Sequence, residues 1–262
     1  MHRKTLQQIL FFFITMSAAW MLLAHPACAD SFYPNAGVDV TDEATPLELH
    51  HYQIMFDYEH DELIDIAPVG IPVIAVKYGL ARNFDVGVQL PYTVDFEDLR
   101  GLSGYNDFSF GFKYLITPIG ESRIMAAVIG SMKIYNADYS KNLSDGATDY
   151  SLHMAFTYEL EKWKYHLNYG YTFWGSIPEF ELKPSPYYRF KTDYISSDQW
   201  SFSSELYGAA SPNINYIGAP MQTTTKTTWQ MNKYLSFDVG MAFGLNADAP
   251  IRRYLFSITY EH

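Results

Sequence analysis

Between Asp107 and Ile116 the chain alternates without a break. Phe108, Phe110, Phe112, Tyr114 and Ile116 take one parity, and Asp107, Ser109, Gly111 and Lys113 take the other. Successive side chains of a strand point to opposite sides, so the stretch 104–116 reads as a strand with two unlike faces. One of those faces is mostly aromatic. A half-buried strand of a soluble sandwich also alternates, but here aromatic against polar recurs along the whole chain. That predicts an all-β transmembrane antiparallel up-and-down β-barrel, aromatic toward lipid and polar toward the lumen. Composition agrees, with 22 Tyr and 18 Phe in 262 residues. Beyond the N-terminus no apolar run reaches the roughly 20 residues of a membrane helix, which excludes a helical bundle.

The alternation predicts strands over 47–58, 69–78, 84–94, 104–116, 122–135, 150–160, 165–173, 187–194, 199–208, 221–231, 235–244 and 253–260. This is about twelve, an even number as single-chain bacterial barrels have. Pro72 cannot donate a ladder bond, so the second strand is expected to bulge there or to start after it. Connections at 79–83, 117–121, 161–164, 195–198 and 232–234 are short. Those at 59–68, 95–106, 136–149, 174–186, 209–220 and 245–252 are longer. Alternating short turns and long loops are the pattern of periplasmic turns and extracellular loops, and the order puts both termini in the periplasm.

The N-terminus reads as a secretory signal peptide over residues 1–29. His2, Arg3 and Lys4 form a basic start, an apolar stretch follows, and Ala27-Cys28-Ala29 offers a small-x-small cleavage site. Cleavage there removes the only cysteine and takes the formal charge from −11 to −13. An exported acidic chain without a basic stripe is not a nucleic-acid binder. Residues 30–46 are irregular, a periplasmic tail or an inward plug, and 47–262 form the barrel. His50, His51 and His60 invite a metal reading, but neighbours on a strand face opposite ways, so no metal site is expected. No cofactor motif is present.

The inward parity carries both signs. Candidates to line the lumen are Asp57, Lys77, Lys113, Lys133, His153, Arg189, Lys191, Glu205 and Lys226. Such charges require water or partners inside the wall, so they line a solute path or fill the barrel with salt bridges. Inward Gly87, Gly111, Gly170 and Gly240 relieve crowding or widen a pore. Ser151 and His153 share a face and suggest a lipid hydrolase, but no third member can be named, and no enzyme is expected. A structural or adhesive barrel with a filled lumen is the other alternative.

Leu90-Pro91-Tyr92 is followed by a polar loop and then by Gly104, Asp107, Phe108, Phe110, Gly111, Lys113 and Tyr114, spaced G-x-x-D-F-x-F-G-x-K-Y. With Asp149-Tyr150-Ser151-Leu152 and Ala249-Pro250, this resembles the outer-membrane transporter family named after the meta-cleavage pathway of phenol degradation. The resemblance implies a barrel that passes small aromatic or hydrophobic molecules through outer-membrane lipid. Many such barrels end in Phe, and here Tyr260 stands as the terminal aromatic for the barrel-insertion machinery.

Overall fold

A computed structural model describes residues 42–63, 66–95, 103–117, 123–139, 143–144, 146–175, 182–211, 220–246, 249 and 251–262. The expected signal peptide and most of the irregular segment after it lie outside the described residues. Every described strand is antiparallel to its neighbours. The strands are β1 (Tyr52–Leu63), β2 (Ile66–Ala81), β3 (Phe84–Asp95), β4 (Gly104–Tyr105), β5 (Phe108–Leu115), β6 (Ile124–Ile134) and β7 (Asp149–Leu160). There follow β8 (Trp163–Phe173), β9 (Ser185–Ile195), β10 (Trp200–Ala209), β11 (Met221–Gln230), β12 (Leu235–Gly244) and β13 (Arg252–Glu261). β1 pairs with both β2 and β13, and β2 pairs with β3, so the sheet closes on itself. Short β4 and long β5 both pair with β3 and occupy one place in the wall, which makes twelve wall positions among the described residues.

The two faces separate as the alternation requires. Phe110 and Tyr169 are 40% and 50% exposed on the outside, whereas Lys113 and Glu205 are 8% and 6% exposed within. A sandwich would reverse this. Outward aromatics gather at the short-turn end, where Trp163 meets Tyr194 at 4.7 Å, Trp200 meets Trp229 at 6.1 Å and Tyr52 meets Tyr260 at 6.1 Å. Tyr92 with Tyr105, and Tyr169 with Tyr171, form pairs toward the long-loop end. Amphipathic rings at two levels are the interfacial girdles of a membrane barrel. Tyr52 and His262 exchange both backbone bonds, which seals the seam between first and last strands.

The backbone corrects the sequence reading in four places. Residues 47–51 are not strand. They turn before β1, with His50 at φ 66°, so His50 and His51 are turn residues and not opposite faces of a strand. The expected long loop 59–68 is instead hairpin, with Leu63 paired to Ile66. Strict alternation of short and long connections therefore fails once. Pro72 neither starts nor bulges β2: it pairs with Tyr58, and the register to β3 is the same at Gly70–Val94 and Val73–Pro91. The ladder to β3 skips the positions between, where the missing N–H would have been needed. Finally, 104–116 is broken at Asn106 and Asp107.

That break has a cause. Asp107 Oδ1 accepts the N–H groups of Asn136 and Ala137 at 3.0 and 2.9 Å, and Oδ2 accepts the Ser144 hydroxyl. A carboxylate that takes several bonds from one loop works as a clamp, and it must leave the ladder to do so. Gly104 completes the arrangement, since a Cβ there would lie 2.4 Å from Leu143 Cδ1.

Candidate functional site

Residues 42–47 run inside the barrel. From the short-turn end upward, Leu47 N–H donates to Asp85 Oδ2 at 2.8 Å, and Lys113 Nζ donates to the Thr45 carbonyl at 3.2 Å. Ala44 N–H donates to Thr157 Oγ1 at 2.9 Å. Asp42 N–H donates to Asn168 Oδ1, and Asn168 Nδ2 returns a bond to the Asp42 carbonyl. Of the segment 30–46, read as tail or plug, residues 42–46 lie against the inner wall, and this stretch is called the plug below. Asn168 stands five residues above the start of β8, roughly 13 Å up a wall of strand rise about 3.3 Å and tilt about 40°.

One side of the plug is apolar. Ala44 is fully buried against a cluster of Leu115, Ala127, Ile129 and Ala155, all on the inner face of β5, β6 and β7. Apolar residues pointing into a polar lumen need cover, and the plug supplies it.

The other contacts are ionic. His153 Nδ1 bonds the Tyr187 hydroxyl at 2.7 Å, and its Nε2 faces Asp42 Oδ2 at 3.3 Å. Glu43 lies 4.0 Å from both Lys164 Nζ and His166 Nε2. Thr157 Oγ1, which accepts from Ala44, also bonds His166 Nδ1 at 2.9 Å. His166 Nε2–H donates to Asp193 Oδ2, also at 2.9 Å. A relay thus runs from the plug backbone through Thr157 and His166 to β9. Glu43, His166 and Asp193 could group around a cation, their ligand atoms lying within 4.8 Å. Here both His166 nitrogens are engaged, and Lys191 stands 3.6 Å from Asp193 Oδ2, so the group is built as an ion-pair relay. Burial raises the carboxyls of Asp42 and Glu43. For Asp42 the His153 contact and the charges of Lys113 and Lys77 outweigh it. For Glu43 the charges of Lys164 and Lys191 do so. Both are held below the usual carboxylate range.

The remaining candidates spread around the inner face. Asp57 Oδ1 accepts the Ser257 hydroxyl. Lys77 projects beside Gly87, where a Cβ would lie 3.1 Å from its Cγ. Lys133 sits toward the long loops, 2.7 Å from Asp149. Arg189 lies over the rings of Tyr187 and Tyr207, at 5.0 and 5.6 Å. Glu205 is directly across from Lys191, and Lys226 is 3.8 Å from Asp238. Lys113, His153 and Lys191 are brought to the plug, while Asp57, Lys133 and Lys226 are not among the contacts just described.

Above the plug the wall is lined by small side chains. Gly87, Gly111, Ser131, Ser151 and Thr172 fall on one continuous row across β3, β5, β6, β7 and β8. Ser131 is exposed there, on the inner face. A Cβ at Gly111 would make only ordinary contacts, so packing does not demand the glycine. Gly170 differs: a Cβ would fall 2.3 Å from His153 Cβ, so its absence is what seats His153. Ser151 Oγ bonds Ser131 Oγ, and His153 turns to Tyr187 and Asp42. The pair is not set as nucleophile and base.

Sequence reasoning missed Asp42, Glu43, Thr157, His166 and Asn168 as a group. One signal was present. Leu115, Ala127, Ile129 and Ala155 break the polar rule on the inward parity at neighbouring ladder positions, which marks a wall covered from within.

No family model matches the chain, and no curated protein matches it in sequence. Among solved structures it is similar to the KdgM porin, with TM-score 0.58 at 10% identity, covering 79% of this chain and 98% of that one. The KdgM porin in complex with disordered oligogalacturonate gives the same score at 11% identity, with the same shares covered. The NanC porin gives 0.54 at 8% identity over 79% and 97%. At such identities the likeness concerns the fold, and it is the closed barrel of porins.

Proposed function

We propose that the protein is a passive outer-membrane channel for small solutes, exported by its signal peptide with both termini in the periplasm and inserted by the barrel machinery. The observation that carries this is the row Gly87–Gly111–Ser131–Ser151–Thr172, at register positions given above. Glycines and short side chains in line take up less of the lumen than the bulk that would fill a barrel. The resemblance around Asp107 and Lys113 favours solutes with an aromatic or hydrophobic body, as in the phenol-pathway family. The porin neighbours support the fold on which the reading stands. Planar-bilayer recording tests it. The wild-type protein is expected to give discrete conductance steps that become smaller in Ser131→Tyr, which puts a ring into the row. A silent bilayer from correctly folded protein would favour the filled, structural barrel. Liposome swelling with a solute series would then rank the cargo.

A further inference from the structure

The plug presents two consecutive carboxylates to the wall, and the wall meets them with a built set of donors. His153 is buried to 6% exposure, and Lys113 and Lys191 to 8% and 4%. His153 Nε2 is 3.3 Å from Asp42, and Lys164 Nζ is 4.0 Å from Glu43. Asn168 offers a donor and an acceptor at the same level. Asp85 and Asp193 neutralise part of this charge, but Asp42 and Glu43 come from a segment that is not part of the wall. Glu159 holds Lys164 at 3.1 Å and Asp193 holds Lys191 at 3.6 Å, so a departing plug leaves both with a wall partner and opens their remaining N–H groups to an incoming anion. The Tyr187 ring packs against His153 at 5.7 Å, edge to face, which sets an aromatic surface beside the cationic one.

We infer that the inner wall around His153, Lys113, Lys164 and Asn168 is a binding site for small organic carboxylates, which Asp42 and Glu43 occupy as a tethered mimic. A diffusing carboxylate competes with the segment for the same donors and displaces it on binding. This deepens the channel reading and rests on it for passage of the solute, while binding and displacement stand on the contacts alone.

Benzoate is the probe, and benzamide is its neutral, similarly shaped control. In detergent-solubilised full-length protein, amide hydrogen exchange at Asp42 and Leu47 reads whether the segment is seated, since both N–H groups are bonded to the wall. Benzoate is expected to speed exchange at both, and benzamide is not. In the variant Asp42→Asn/Glu43→Gln, half-effect is expected at a benzoate concentration lower by roughly tenfold or more, because the charge-assisted contacts of the mimic are gone. Equal effects of benzoate and benzamide, or none from benzoate in the wild-type protein and the variant, would overturn the site. Should the double variant fail to fold, the wild-type comparison of the two probes still decides. Benzoate-driven release with a silent bilayer retains the site and removes the channel. Conductance steps without benzoate-driven release do the reverse.

Discussion

Thr157→Val isolates the grip of the wall on the plug. The two side chains have nearly the same shape, but the hydroxyl is lost. Thr157 and His166 are both fully buried, and Ala44 is buried on the plug side. In the seated state Ala44 N–H then has no acceptor, whereas in the released state it bonds water. An orphaned buried donor costs about 1–3 kcal/mol, so seating should weaken by about 5- to 150-fold. His166 Nδ1 loses its Thr157 partner in both states, so that cost lowers barrel stability without moving the seating equilibrium. The reporters are the Asp42 and Leu47 amides, bonded to Asn168 and Asp85 and untouched by the substitution. Their hydrogen exchange should accelerate by the same factor. Thr157→Ser keeps the hydroxyl and should leave both rates near wild type. Unchanged exchange in the valine variant, or equal acceleration in valine and serine variants, would refute the relay from Ala44 through Thr157 to His166.

Three further outcomes follow from the same geometry. Asp42 and Glu43 have lowered carboxyl pKa values when seated, so seating is favoured above their ordinary values of 3.8 and 4.5 and is lost as pH falls through the shifted ones. Exchange at Leu47, corrected for intrinsic rate, should rise only on acidification below that ordinary range; release between pH 5 and 7 would contradict the assignment. Asp107→Ala strips the acceptor from Asn136 and Ala137, costing about 1–3 kcal/mol of loop order, and protease sensitivity near 136–149 should rise while the heat-stable barrel band on gels is kept. Phe110→Arg places a charge on the lipid face, at a cost of about 2–4 kcal/mol near mid-wall, whereas Ser131→Arg points inward and should cost far less. Urea unfolding in vesicles compares the two, and equal losses would count against the assigned faces.

The period of two in the sequence determined most of the wall. Polar and aromatic residues cannot exchange faces without slipping the register by one, and that slip would put every charge into lipid. Strand number, the direction of the faces and the all-β closed class were therefore legible. Local geometry was less so. Residues 59–68 look like a loop because they carry charge and a proline, yet neighbouring strands supply ladder partners that composition does not show. Asp107 reads as one more inward residue, since the loop it clamps lies about 30 positions later and is recognised only in space.

Which wall residues the plug would meet was beyond the sequence. Residues 42–47 have no periodicity, and their partners, Asp85, Lys113, Thr157 and Asn168, are dispersed over four strands. Only closure of the sheet brings those strands around a common axis and makes one short polar segment the counter-charge of a buried basic wall. A strand's faces follow from its own residues. What fills the space between twelve strands is decided by where the ring closes.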